Sequence, residues 1–215
     1  WCYGEGDYGD HPAFFRVERD GGVLTAYWSH DGHAWNLAWS HDLGSALDGL
    51  DQRVALVGQS WFDAAGSYAD YDYVQVKPLD AQFSDDFSSP TLDPAWSVVQ
   101  TWPGGTARVY GYTEPGNHYS LADNPGFLRY SLDPMTHQDG FLNGYATTYG
   151  FHSCCNHDAG LEIQRPFSGD HWRFEVGGVY HLPQTNGRDL GVRLYFGTGA
   201  APTYWVDMRR QADVG

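Results

Sequence analysis

The chain has almost no lysine. Lys77 is the only one among 215 residues, and 12 Lys plus Arg against 27 Asp plus Glu give a formal net charge of -15. Nucleic acids and anionic membrane surfaces are bound through basic patches, so the composition argues against both as partners. An acidic surface suits either cation binding or simple solubility.

Long apolar runs and helix signals are also missing. No stretch approaches the length of a membrane span, so we expect no membrane insertion. There is no basic-plus-apolar leader and the chain starts at Trp1, so we expect a mature or trimmed product. The best helix candidate, residues 42–50, is short and contains two glycines, which favours a loop or a single turn.

Cysteine is scarce, and its count is odd. The three cysteines are Cys2, Cys154 and Cys155, so at least one is unpaired or pairs outside the chain. The histidines near the adjacent pair complete no zinc-ligand spacing. We expect a disulfide from Cys2 to either Cys154 or Cys155, which suits a secreted, extracellular or cell-surface protein.

Aromatic residues, glycine and proline are abundant instead. Aromatics make up 16% of the chain, with 27 Gly and 11 Pro, a mixture that favours strands joined by tight turns. Alternating apolar and polar stretches recur about every 10–15 residues, the spacing of a β-sandwich. We therefore predict an all-β, antiparallel two-sheet sandwich, with strands at residues 13–19, 23–29, 35–39, 53–61, 68–76, 83–87, 107–112, 119–122, 126–132, 160–165, 172–181, 190–196 and 204–209.

Four blocks of this pattern carry a family resemblance. They are FSDDFSSPTLDPAW at residues 83–96, HYSLADNPGFLRY at 118–130, FRVERDGGVLTAYWSHDGHAW at 15–35 and YADYDYVQV at 68–76. Together they resemble the concanavalin A-like (laminin-G-like) module, and are similar to the C-terminal accessory domain of family 43 glycoside hydrolases (β-xylosidase-like). The resemblance implies a jelly-roll sandwich in a polysaccharide-acting or cell-surface protein.

The order of the blocks is permuted. Residues 1–79 are similar to the C-terminal half of such a module, and residues 80–215 to its N-terminal half. Three explanations stay open: a fragment of a tandem-domain protein, a circular permutant, or a subunit whose halves are completed by copies of itself.

The resemblance also implies a structural calcium ion. In the family the ion lies where the first and last strands meet, and the matching positions are Asp86 and Asp72, with Asp85 and Asp70 as alternates. Ca²⁺ prefers carboxylate and carbonyl oxygens, and an ion that binds only the folded chain stabilises it.

Strand alternation adds to this expectation. It places Asp70 and Asp72 on one face of their strand and Tyr71 and Tyr73 on the other. Paired carboxylates on one face need a cation, a basic partner or water, and the scarcity of lysine favours a cation.

Two further motifs concern binding and folding. Aromatic residues borne on loops suit sugar stacking, and the candidates are Trp102, Tyr145 and Tyr149. The segment SHDGHAW at residues 29–35 is similar to a shortened Asp-box, in which the aspartate caps backbone N–H groups of a turn. We interpret it as a folding element.

Catalytic signals are weak. The sandwich-type E-x-D-x-x-E pattern is missing, as are serine-hydrolase, zinc-protease and nucleotide-binding motifs. We expect no catalytic residues and a non-catalytic module with a carbohydrate-binding or spacer role. The alternatives are a structural subunit of an extracellular assembly built from complementing half-domains, and a sandwich-fold glycosidase or lyase.

Overall fold

The computed structural model describes residues 9–60, 67–78, 83–100, 118–131, 161–182, 188–197 and 203–212. Most of these residues are in strands, and the one helical element among them is a 3₁₀ turn at Gly44–Leu47. The strands are β1 Gly9–Asp20, β2 Val23–Ser29, β3 Asn36–Asp42, β4 Gln52–Ser60, β5 Tyr68–Pro78, β6 Phe83–Asp85, β7 Ser97–Gln100, β8 His118–Ser120, β9 Leu128–Ser131, β10 Leu161–Phe167, β11 His171–Leu182, β12 Arg188–Phe196 and β13 Tyr204–Ala212.

The strands form two antiparallel sheets. The eight-stranded sheet has the order β3-β2-β1-β11-β5-β9-β8, with β6 paired to β5. The five-stranded sheet has the order β13-β12-β4-β10-β7. The predicted all-β two-sheet sandwich is therefore confirmed.

The first hairpin shows how the sequence sets these strands. Asp20 pairs with Val23 at the end of the β1–β2 ladder, which leaves a two-residue loop. Gly21 has a φ of 58°, the left-handed conformation that two-residue hairpin loops require and that glycine adopts without a steric penalty.

Strands from the two halves of the sequence are interleaved. In the larger sheet, β11 lies between β1 and β5, and β9 pairs with the other side of β5. In the smaller sheet, β4 lies between β12 and β10. Residues 9–78 and residues 83–212 therefore complete both sheets within a single chain.

The core lies between the two sheets. The larger sheet contributes alternate residues such as Phe15, Val17 and Phe174, and the smaller sheet contributes residues such as Leu56 and Leu194. Two hydrogen bonds cross the core: Tyr71 Oη donates to the Gly191 carbonyl at 2.7 Å, and Trp172 Nε1 donates to Gln52 Oε1 at 2.8 Å. Such bonds satisfy polar groups that would otherwise be costly to bury.

The loop or single turn expected at residues 42–50 contains the 3₁₀ turn. The short strand β7 was not predicted, and the strand expected at residues 107–112 lies outside the described residues. A four-residue turn is the longest helical segment in the described ranges, so no helix there is suited to crossing a bilayer.

Candidate functional site

Strand β5 contains a bulge at the position of the predicted calcium ligands. Tyr71 pairs with Gly178 and Tyr73 with Gly177, so Asp72 is an extra residue without a partner on β11. On the other side of β5, β9 pairs with residues up to Tyr71 and β6 pairs with residues from Val74 onward. The bulge therefore lies between the segments of β5 that pair with β9 and with β6.

The bulge overturns the face assignment made from simple alternation. Tyr71 and Val74 are both fully buried in the core, whereas Tyr73 packs against Phe14, which alternates with the core residues of β1. Because a one-residue insertion shifts the alternation, Tyr71 and Tyr73 lie on opposite faces. The prediction that they share a face was wrong.

Asp70 has a basic partner. Its carboxylate accepts two hydrogen bonds from Arg129, both at 2.7 Å, and one from Asn124 at 2.8 Å. Arg129 also stacks on Tyr68, with its guanidinium carbon 4.1 Å from the ring centroid. Both oxygens of Asp70 are thus committed to protein donors, and Arg129 supplies the basic partner that was one of the three alternatives for this carboxylate.

Asp85 also has its oxygens in use. Oδ1 accepts from the backbone N–H of Phe87 at 2.9 Å, and Oδ2 accepts from Trp96 Nε1 at 2.7 Å. Phe87 has a φ of 51°, an unfavourable conformation for a bulky residue. The Asp85 hydrogen bonds therefore hold a strained turn together, which is a structural role.

Asp72 and Asp86 are the remaining carboxylates, and both are exposed. The hydroxyl and backbone N–H of Ser88 hydrogen-bond to Asp86 and lower the pKa of its carboxyl group. Within the described ranges, no group of three or more His, Cys, Asp or Glu side chains is arranged to hold a metal ion. Ca²⁺ takes about six to eight oxygen ligands, so these side chains do not make a calcium site by themselves, and the calcium ion stays a prediction.

The predicted sugar-stacking and disulfide residues fall in segments outside the described part of the chain. Trp102, Tyr145 and Tyr149, predicted to stack on sugars, lie outside the described residues, as do Cys2, Cys154 and Cys155.

The outer face of the eight-stranded sheet carries a different set of aromatic and hydrogen-bonding side chains. On β1, Phe15 and Val17 point into the core, so the alternating residues point outward. The register aligns outward residues of β2, β1, β11 and β5 in a continuous row. We define the outer patch as Phe14, Arg16, Trp35, Tyr73, Gln75 and Glu175.

Three planar polar groups form the centre of the outer patch. Arg16 Nε and Nη2 contact Glu175 Oε1 at 2.9 and 2.8 Å, and Gln75 Nε2 donates to Glu175 Oε2 at 2.8 Å. Glu175 is only 9% exposed. The network fixes the orientation of all three groups because charge-assisted hydrogen bonds are short and directional.

Aromatic rings adjoin this polar row. The guanidinium carbon of Arg16 is 3.8 Å from the Trp35 ring centroid. In the neighbouring row, Phe14 and Tyr73 have ring centroids 6.5 Å apart. A Cβ on Gly177 would lie 2.6 Å from Phe14 and 2.7 Å from Tyr73, so this glycine allows both rings to lie against the sheet.

Burial and nearby charges affect the tyrosine of the outer patch. Burial, with the charges of Glu175 and Asp72, raises the pKa of Tyr73 to about 12. Its hydroxyl therefore stays protonated at neutral pH and is available as a hydrogen-bond donor.

The loop that carries Trp35 is held by the predicted Asp-box-like turn. Asp31 Oδ1 accepts from the N–H groups of His33 and Ala34, both at 2.8 Å, and from Ser29 Oγ at 2.9 Å. These three hydrogen bonds lower the pKa of Asp31 to about 2. The turn was interpreted as a folding element, and in the structure it also positions an aromatic ring of the outer patch.

The outer patch was not predicted because its members come from distant segments. Alternation was right on β1, with Phe14 and Arg16 between core residues, but the bulge at Asp72 made it wrong for Tyr73 on β5. The pairing of β1 with β11 and of β11 with β5 could not be deduced from single strands. Outward aromatic residues on strands, rather than only on loops, indicate Phe14.

Comparisons with known proteins do not assign the chain. It matches none of the protein-family models scanned, and a search of curated proteins also finds no match.

Proposed function

We propose that this chain is a non-catalytic, concanavalin A-like module that binds a neutral polysaccharide on the outer patch. One observation carries the proposal: a fixed row of Arg16, Glu175 and Gln75 on the outer face of the sheet, with the Trp35 ring over Arg16 and the Phe14 and Tyr73 rings in the neighbouring row. The module would serve a secreted or cell-surface protein that acts on polysaccharides.

The chemistry of sugars explains why this arrangement suits them. A pyranose ring presents C–H groups on its faces and hydroxyl groups at its edge. Aromatic rings pack against the C–H faces, and planar polar groups hydrogen-bond to pairs of neighbouring hydroxyl groups. Groups already fixed by one another lose little conformational entropy when a ligand binds.

Charge favours a neutral ligand. Arg16 pairs with Glu175, and Arg173 pairs with Glu18 at 2.7 Å on the same face, so the surface has little net charge. The whole chain carries a net charge of -15, which repels uronate-rich or sulfated polysaccharides. Neutral chains of the xylan, glucan or mannan type meet no such repulsion.

The hydrogen bonds of Glu175 support binding rather than cleavage. Glycosidases use one carboxyl group as a proton donor and a second as a nucleophile or base. Both oxygens of Glu175 instead accept hydrogen bonds from Arg16 and Gln75, so protein donors hold this carboxylate in the polar row.

Strand pairing supports a self-contained module over an assembly of half-domains. β11 pairs with β1 and β5 over most of its length within one chain. The edges that a half-sandwich would expose to another copy are therefore already paired. A calcium ion coordinated by Asp72 and Asp86 is part of the proposal only as a stabilising ion.

The test is binding to insoluble xylan, cellulose and mannan, followed by affinity electrophoresis in soluble forms of whichever polysaccharide retains the chain. Tyr73→Ala and Gln75→Ala should each weaken binding about tenfold, which corresponds to about 1.4 kcal/mol. Val98→Ala is the control because Val98 is exposed on the other sheet. Retention that is equal for all three variants and the parent chain would refute the assignment to the outer patch.

A further inference from the structure

The outer face continues past the outer patch along β1, β11 and β5. The outward residues of these three strands pair in successive rows. The first row holds the rings of Phe14 and Tyr73, and the second holds the fixed polar groups of the outer patch. We define the third row as the residues two positions further on each strand, which are Glu18, Arg173 and Lys77. Because side chains alternate between faces, the third row lies on the same face, about 7 Å from the second.

The third row is the most accessible of the three. The side chains of Arg173 and Glu18 are 49% and 32% exposed, and Lys77 is exposed as well. In the second row, the side chains of Arg16 and Glu175 are only 17% and 12% exposed. A ligand on the outer patch therefore meets open side chains in this direction.

Arg173 is held in place while part of its guanidinium group stays free. Its Nε donates to Glu18 Oε1 at 2.7 Å and lies 3.9 Å from Glu175 Oε1. Among the residues that the structure describes, the two Nη nitrogens of Arg173 and Oε2 of Glu18 have no hydrogen-bond or ion-pair partner. The pair therefore presents free N–H donors beside a free acceptor oxygen, in an orientation set by a charge-assisted hydrogen bond.

The opposite direction along the same strands is less suited to a polar ligand. Beyond the first row, Pro12, Val179 and Asp70 are aligned across β1, β11 and β5. The side chains of Pro12 and Val179 have no hydrogen-bonding atoms, and both oxygens of Asp70 accept from Arg129 and Asn124. A ligand that extends along the strands therefore finds free donors and acceptors toward the third row.

We propose that Arg173, together with Glu18, binds the hydroxyl groups of a further sugar unit, so that the polysaccharide lies parallel to β1, β11 and β5. The inference rests on the proposed function, and it assigns the direction and the length of the bound segment. Three rows extend over about 14 Å, against about 7 Å for the first two. The site therefore accommodates several units of an extended neutral chain, with stacking at one end and the arginine at the other.

Calorimetric titration of the full chain with oligosaccharides of increasing length tests this orientation. The probes are the di-, tetra- and hexasaccharides of the xylan, cellulose and mannan series. For the series that binds, the affinity of the parent chain should rise about tenfold from the disaccharide to the tetrasaccharide, as expected for added hydrogen bonds to a charged group. Arg173→Ala should remove this rise and leave the affinity for the disaccharide unchanged. Arg173→Lys should not restore it, since an ammonium group lacks the fork of the guanidinium group.

Tyr27→Ala is the matched control. Tyr27 on β2 pairs with Arg16 and is partly exposed, so it lies where a polysaccharide that crosses the strands would extend. This variant should keep the rise in affinity with length. Exposed ion pairs contribute little to stability, so the melting curve of Arg173→Ala should match that of the parent chain and show that the variant is folded.

The outcomes separate this inference from the proposed function. If the rise with length is absent from the parent chain, persists in Arg173→Ala or is lost in Tyr27→Ala, the proposed orientation is wrong. The proposed function still stands in each of these cases, provided that Tyr73→Ala weakens binding. If no oligosaccharide or polysaccharide binds, the proposed function is refuted, and the inference with it.

Discussion

Replacing Asp70 should destabilise the sandwich far more than replacing Asp72, although the two residues are neighbours in the same motif. Asp70 is 6% exposed and accepts two hydrogen bonds from Arg129 and one from Asn124. Asp72 is exposed at the bulge. Asp70→Ala therefore leaves a partly buried guanidinium without its partner, whereas Asp72→Ala removes a solvated charge.

The cost of Asp70→Ala follows from burial. Removing one partner of a fully buried ion pair costs about 3–5 kcal/mol. The Arg129 side chain is 24% exposed and keeps its stacking on Tyr68, so water replaces part of the lost interaction. We expect Asp70→Ala to lower the free energy of unfolding by about 2–3 kcal/mol.

Urea denaturation in EDTA, followed by tryptophan fluorescence, measures this difference, with Asp72→Ala as the matched control; EDTA removes any calcium ion that Asp72 would coordinate. A double-mutant cycle with Arg129→Ala should give a coupling energy of about 1–2 kcal/mol, since each single change strands the other charge. Equal unfolding free energies for Asp70→Ala and Asp72→Ala, at unchanged m-values, would refute the assignment of Asp70 to a structural ion pair.

Three further predictions concern other parts of the fold. The folded-state pKa of Asp31 is depressed to about 2, so its contribution to stability is present above the unfolded pKa of about 4 and is lost as the pH falls through the folded value. Between pH 5 and pH 2, the melting temperature of the parent chain should fall more steeply with decreasing pH than that of Asp31→Asn. Parallel pH dependences would contradict this. Gly177→Ala should lower the free energy of unfolding by about 1–3 kcal/mol through overpacking. It should also weaken glycan binding, because the added Cβ displaces Tyr73. Unchanged melting and binding would refute that reasoning. If calcium stabilises the fold, EDTA should lower the melting temperature of the parent chain but not that of the double variant Asp72→Ala, Asp86→Ala. If EDTA changes neither melting temperature, the prediction of a stabilising calcium ion is refuted.

The two-sheet fold was predictable because it depends on local patterns. Alternation of apolar and polar residues predicted most strands, and glycine at positions such as Gly21 predicted the turns. β7 was missed because four residues, Ser97–Gln100, carry too little alternation to be distinguished from a loop. The order of strands in the sheets could not be predicted from patterns within single strands, because β1 pairs with β11 across more than 150 residues.

The candidate site was less predictable because it depends on long-range pairing. Alternation alone could not reveal the bulge at Asp72, which forms opposite Gly177 and Gly178 on a distant strand. The scarcity of lysine favoured a metal ion at Asp70, but an arginine 59 positions away neutralises it. Counting lysines therefore underestimated the basic partners available, because the chain contains 12 Lys plus Arg and arginine forms the stronger bidentate pairs.

The acidity of the chain has a local explanation that bears on its ligands. A backbone N–H two residues further along donates to the carboxylate of each of five aspartates: Asp31, Asp42, Asp85, Asp86 and Asp93. Such turns use the side-chain oxygen and accept asparagine as well, so they do not require the negative charge. The charges on both outer faces are instead paired, through Arg16 with Glu175 and Arg193 with Asp207. Paired charges of this kind are compatible with the proposed neutral ligand, while the excess negative charge at the turns repels polyanions.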